Sequence, residues 1–148
     1  MIPANFHTHT NFSDGSHHPE IYIERAIAQQ LIALGFSDHA PFPYKNSWSI
    51  EDQTLDDYIL EIKQLKKLYQ VELQIYCGIE VEYIPNLVSV NDPLFENPNI
   101  DYTIGSIHYV DHFEDGTPWS IDGTEAIFKR GLQKIFKGDI RAAVYRYF

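Results

Sequence analysis

Cysteine occurs once, at Cys77, so no internal disulfide can form and no CxxC cluster is available. Positive charge is scarce. Eleven Lys and Arg stand against 21 Asp and Glu, for a formal charge of −10. A nucleic-acid binder normally presents a basic face, so no such partner is expected. Lys63, Lys66 and Lys67 read only as the solvated side of a helix. No apolar run approaches the roughly 18 residues of a membrane span. The opening MIPANFHTHT has neither the basic nor the apolar stretch of an export signal. With the single cysteine, this makes a reducing cytoplasm the expected location. GxGxxG, Walker A, HExxH and GxSxG patterns are all missing, and no serine sits in a convincing triad. Cys77 falls inside a predicted strand, where packing is its expected role.

What is present suits one domain of the α/β class. The 148 residues are 44% hydrophobic, with 10 Tyr and 9 Phe, and neither a repeat nor a linker divides them. A buried strand is predicted over Ile2–Phe6, running into His7, followed by a loop over residues 11–18. Pro19 opens a helix whose apolar face carries Ile23, Ala26, Ile27, Leu31 and Leu34, with Gly35 as its stop. Phe36-Ser37 forms a strand ending at Asp38-His39, and Pro41 and Pro43 mark a long loop. A helix from Thr54 turns Leu55, Tyr58, Ile59, Ile62, Leu65 and Tyr69 inward. A strand over Glu72–Glu80 follows, then a surface insertion over residues 83–99, then a strand over Tyr102–Ile107 ending at His108. Asp122 with Glu125 caps a helix with Ile127, Phe128, Leu132 and Ile135 inward. Asp139 starts another, with Ile140, Val144 and Tyr147 inward. Right-handed parallel β/α units are the economical solution, and about four of them make half of a closed eight-stranded barrel. Such a half leaves an open sheet edge. Either the chain is part of a longer protein, or it pairs with another copy as a homo-oligomer through that edge.

The chemistry lies at the predicted strand ends. His7 and His9 follow the first strand, His39 the second, Glu80 the third and His108 the fourth. In β/α barrels functional groups sit at the C-terminal ends of strands, so these residues would share one rim. His7 and His9, two apart on extended backbone, leave the same face and can reach one cation. A buried Glu80 requires a partner, and bridging two cations would supply one. Asp14 lies in an ordinary Ser-Asp-Gly turn, but five residues from His9 it becomes a ligand for a further cation; Asp38 could orient a neighbour or cap a turn. The other readings are a hydrogen-bonded His pair in a polar loop and a surface Glu80. His17, His18 and His112 carry no spacing that singles them out. Water activated by divalent metal is then the nucleophile, aimed at a small phosphorylated metabolite. Imidazole-rich ligation suits Zn, Mn or Fe without choosing among them.

The ordered blocks Phe6-His7-Thr8-His9-Thr10 with Ser13-Asp14-Gly15, Gly35 to Pro41, Gly78-Ile79-Glu80, Asp101 to Tyr109, and Asp115 to Trp119 with Asp122-Gly123 resemble the PHP superfamily, polymerase and histidinol phosphatase, in its histidinol-phosphatase branch. The resemblance implies a distorted TIM-like (β/α)7 barrel with up to three divalent metal ions. By motif, His7 and His9 resemble ligands of the first metal and Glu80 the bridge to the second. His108 resembles a second-metal ligand, and Asp14 with His39 third-metal ligands. Glu80, His39 and His108 are thereby expected to act in catalysis. The activity implied is hydrolysis of histidinol phosphate in histidine biosynthesis. The family's later Gly-His, Asp-x-His and phosphate-binding basic groups have no counterpart here, so residues 1–148 are expected to be the N-terminal part of a single PHP domain. Two other readings remain: a PHP-type enzyme for another phosphoester, and a non-catalytic metal-binding half-barrel.

Overall fold

The computed structural model describes residues 3–84, 87–89, 91 and 96–148. The chain forms two compact units, Met1–Val81 with Asn91–Ile104, and Glu82–Val90 with Gly105–Phe148. The main sheet has four strands, β1 (Ala4–Asn5), β2 (Ala33–Phe36), β3 (Gln74–Glu82) and β4 (Tyr102–Ser106), in that spatial order. β1 pairs with β2, and β2 with β3, in parallel. Helices α1 (Pro19–Ala28) and α2 (Leu55–Leu68) make the crossovers. The expected alternation of parallel strands and helices is therefore present.

In the first unit, α1 buries Pro19, Ile23 and Ala26, and α2 buries Leu55, Tyr58, Ile59, Ile62 and Leu65. The Tyr58 hydroxyl donates to the Gly78 carbonyl at 2.7 Å and ties α2 to β3. Every residue of β2 is buried, as a strand covered on both faces requires. Tyr102 crosses the sheet, its hydroxyl 2.8 Å from Phe6 O and 2.9 Å from Phe36 O. A Cβ at Gly35 or Gly78 would lie 2.3 or 2.2 Å from Tyr102 atoms, so both glycines exist to admit that ring.

Several boundaries differ from expectation. β1 is shorter than Ile2–Phe6 and exposed, and Ile2 lies outside the described residues. α1 stops at Ala28 because Gln30 turns left-handed, with φ 58°. Leu34 and Gly35 consequently belong to β2, and Gly35 stops no helix. β3 runs to Glu82, two residues further than predicted. Thr54 ends a 3-10 turn (Asp52–Thr54) and makes no side-chain cap. The insertion over residues 83–99 is described only in part, with residues 85–86, 90 and 92–95 outside it; a bridge pairs Ile84 with Val88.

The second unit contains an unforeseen antiparallel hairpin, β5 (Tyr109–His112) with β6 (Pro118–Ser120). Gly116, at φ 83°, turns it. Helices α3 (Glu125–Phe136) and α4 (Ile140–Tyr147) follow. Trp119, Val110 and Ala143 form a core packed by Ile107, Phe128, Leu132, Ile135 and Phe136. The cap of α3 is Thr124, which accepts from Ile127 N, whereas Asp122 accepts from the Ser120 hydroxyl. Asp139 caps α4 as expected, accepting from Arg141 N and Ala142 N. Ile127, Ile140, Val144 and Tyr147 are exposed rather than inward, because Gly131 meets Trp119 and Ala143 is the residue α4 buries.

Candidate metal centre

The first loop is built by hydrogen bonds before any ion is considered. Asn5 accepts from His7 N and donates to the Thr8 hydroxyl, fixing the bend after β1. Ser37 N donates to Thr8 O at 2.9 Å, and Thr8 N to the Ser37 hydroxyl at 3.2 Å. Asp38, completely buried, accepts from Thr10 N at 2.7 Å, from the Thr10 hydroxyl and, at 2.6 Å, from the Ser13 hydroxyl. Burial pushes the Asp38 carboxyl up, and the hydrogen bonds from Ser13 and Thr10 pull it back. Gly15 N donates to Thr10 O, and a Cβ there would lie 2.3 Å from His9 O. That close return of the loop brings Asp14 back to His9.

His7, His9, Asp14, His39 and Glu80 come together in the first unit. Glu80, 3% exposed, sits next to β2's extension, where it bridges to His39. Its Oε2 lies 2.9 Å from His7 Nε2, 2.8 Å from His9 Nε2 and 3.7 Å from His39 Nδ1. His9 turns its other nitrogen to Asp14, with Nδ1 2.8 Å from Oδ1, while Asp14 Oδ2 is 3.8 Å from His39 Nε2. The donor atoms of His7, His9 and Glu80 lie within 4.8 Å of one another, as do those of His9, Asp14 and His39. His9 belongs to both groups. Trp48 packs edge-on to the His39 ring at 5.0 Å and walls one side.

Burial acts to depress the pKa of His9, but the carboxylates of Glu80 and Asp14 outweigh it and raise the imidazole to about 9. Although His9 Nε2 is buried 2.8 Å from Glu80 Oε2, it makes no directed hydrogen bond. His7 Nε2 hydrogen-bonds Glu80 Oε2 and His9 Nδ1 hydrogen-bonds Asp14 Oδ1, and imidazole and carboxylate donors gathered this closely fit a divalent cation.

His108 belongs to the second unit. Its Nδ1 is 2.7 Å from Glu82 Oε2, and its backbone N–H donates to Glu82 Oε1 at 2.7 Å. The Ser106 hydroxyl donates to Glu82 Oε2 at 3.3 Å, and Asp122 Oδ2 is 3.9 Å from His108 Nε2. The sequence reading missed Glu82, although residues two apart on a strand share a face and Glu80 was already singled out. It also missed Asp122 as a neighbour of His108; no spacing signals that pairing. His18 accepts from Glu20 N as the cap of α1, and His112 lies beside Asp111. Tyr109 is half-buried, and burial raises its phenol.

Comparison with known proteins decides the family. A model of the PHP domain matches residues 5–146. The chain belongs to the PHP family. PHP relatives include the "Probable histidinol-phosphatase" of Schizosaccharomyces pombe, 30% identical over 78% of this chain and 39% of that protein. The histidinol-phosphatase of Bacillus subtilis is 28% identical over 100% of this chain and 58% of that protein. A solved histidinol phosphate phosphatase from Lactococcus lactis, complexed with zinc, L-histidinol and phosphate, superposes with a TM-score of 0.65 at 24% identity. The match covers 87% of this chain and 49% of that one. The chain thus spans well under two thirds of these PHP proteins, and the fold is that of a partial PHP-type barrel. Among the described residues, no helix is long and apolar enough to cross a membrane.

Proposed function

We propose that the protein carrying this chain is a metal-dependent phosphomonoester hydrolase acting on histidinol phosphate, a step of histidine biosynthesis in the cytoplasm. The chain would form part of a single PHP domain. The observation that carries this reading is the convergence of His7, His9 and His39 on one buried oxygen of Glu80. The names of the relatives supply the substrate class. His7, His9 and Glu80 would hold one cation; His9, Asp14 and His39 would hold another, with Zn, Mn or Fe as candidates. His108 would hold a third through Nε2. Divalent cations bound there would acidify water and neutralise phosphoryl oxygens. Glu80, at the meeting point of the imidazoles, fixes the charge balance of the site. Loop residues Thr10 and Ser13, through Asp38, hold His9 and Asp14 in register with it. His39 and His108 would act in catalysis through the cations they hold.

Purified protein should release phosphate from histidinol phosphate when supplied with zinc or manganese. Glu80→Ala should lower kcat by roughly 100-fold or more. Undiminished turnover in that variant would overturn the assignment. Faster hydrolysis of a sugar phosphate or a nucleotide 3′-phosphate would transfer it to another phosphoester.

A further inference from the structure

We infer that Glu82 is a positioning residue that locks His108 in its Nδ1–H tautomer, so that Nε2 carries the lone pair that would ligate metal. The inference rests on the reading of His108 as a ligand, and Glu82 deepens that reading. Glu82 is 4% exposed, and both of its oxygens are engaged by one residue: Oε1 accepts from the His108 backbone N–H, and Oε2 lies 2.7 Å from His108 Nδ1. The backbone N–H can only donate, so the oxygen facing it must remain an acceptor. The second oxygen, carrying a full share of the carboxylate charge, faces Nδ1 and calls for a proton there. In neutral imidazole a proton on Nδ1 leaves Nε2 basic. Nε2 faces away, towards the Asp122 carboxylate at 3.9 Å. A carboxylate behind a ligating histidine fixes both ring orientation and tautomer.

The geometry makes Glu82→Gln a sharper test than truncation. The amide oxygen of the glutamine must stay on the His108 backbone N–H. Its NH2 must then occupy the place of Oε2, where it can donate to Nδ1 and would clash with a proton on it. The isosteric change therefore inverts the tautomer and moves the proton to Nε2. Ser106 can turn its hydroxyl to accept from the new NH2 group, so the pocket need not collapse.

The experiment is nitrogen-15 NMR of the histidine rings in the metal-free chain, with His108 assigned by loss of its signal in His108→Ala. Spectra are taken above the pH at which the ring titrates. The expected result is Nδ1–H in the parent and Nε2–H in Glu82→Gln, with circular dichroism unchanged. Zinc affinity, by calorimetric titration, should fall roughly ten- to a hundred-fold in Glu82→Gln. An Nε2–H ring or an imidazolium in the parent would overturn the inference. So would a variant whose tautomer stays the same while only its melting temperature drops, since that is a packing effect. If Glu82→Gln unfolds, the parent spectrum alone decides. Zinc binding unaffected by His108→Ala would instead remove His108 from the ligand set while leaving the tautomer assignment in place.

Discussion

At the residue scale, His9 carries the largest electrostatic consequence. Its imidazole is raised from 6.5 to about 9 in the metal-free protein, against a burial that works the other way. A base whose pKa is higher folded than unfolded stabilises the fold in its protonated form. That contribution is complete below pH 6.5 and is lost as pH rises through about 9. In chelator, the melting temperature should therefore fall across this window, and His9→Ala should flatten the slope in calorimetric scans. An equal slope in the variant would place the effect elsewhere. A cation must displace the same proton, so metal binding should release protons. His7, His9, His39 and Glu80 were legible because HxH spacing and strand ends are local patterns. Asp38 was not, because a buried carboxylate holding a loop and an ordinary turn aspartate look alike in sequence. Only the folded chain shows that Thr10 and Ser13 both donate to it.

At the element scale, the positions of the helices were readable from periodicity, the inward faces of α3 and α4 and the strand bounds less so. α2 buries five of the six residues its pattern named, since a 3.6-residue repeat is written within the element itself. The role of Gly35, read from sequence as a helix stop, depends instead on Tyr102, 66 residues beyond Phe36 in the chain. That ring explains why Gly35 and Gly78 sit mid-strand, where glycine otherwise weakens a strand. Gly78→Ala forces a methyl into the Tyr102 ring, with a Cβ contact of 2.2 Å, and overpacking of this kind costs about 1–3 kcal/mol. Urea unfolding should show a lower midpoint, with the unfolding free energy reduced by that amount. The β5–β6 hairpin escaped the sequence reading because its strands are four and three residues long, too short to display alternation.

At the scale of the whole molecule, a chain of net charge −10 gathers imidazoles and carboxylates in its first unit. A cation bound to the folded state alone adds stability by mass action, about 2.7 kcal/mol at a free concentration of 100 times Kd. Zinc should accordingly raise the melting temperature in a concentration-dependent way, and EDTA should restore the original value. A flat response would count against a resident metal. The Asp38 clamp adds a consequence in time. Because Thr10, Ser13 and Ser37 hold the loop through the protein's own hydrogen bonds, the loop should keep its shape in chelator, and amide hydrogen exchange there should be as slow without metal as with it. A cation arriving there would meet a loop already in place rather than have to build one.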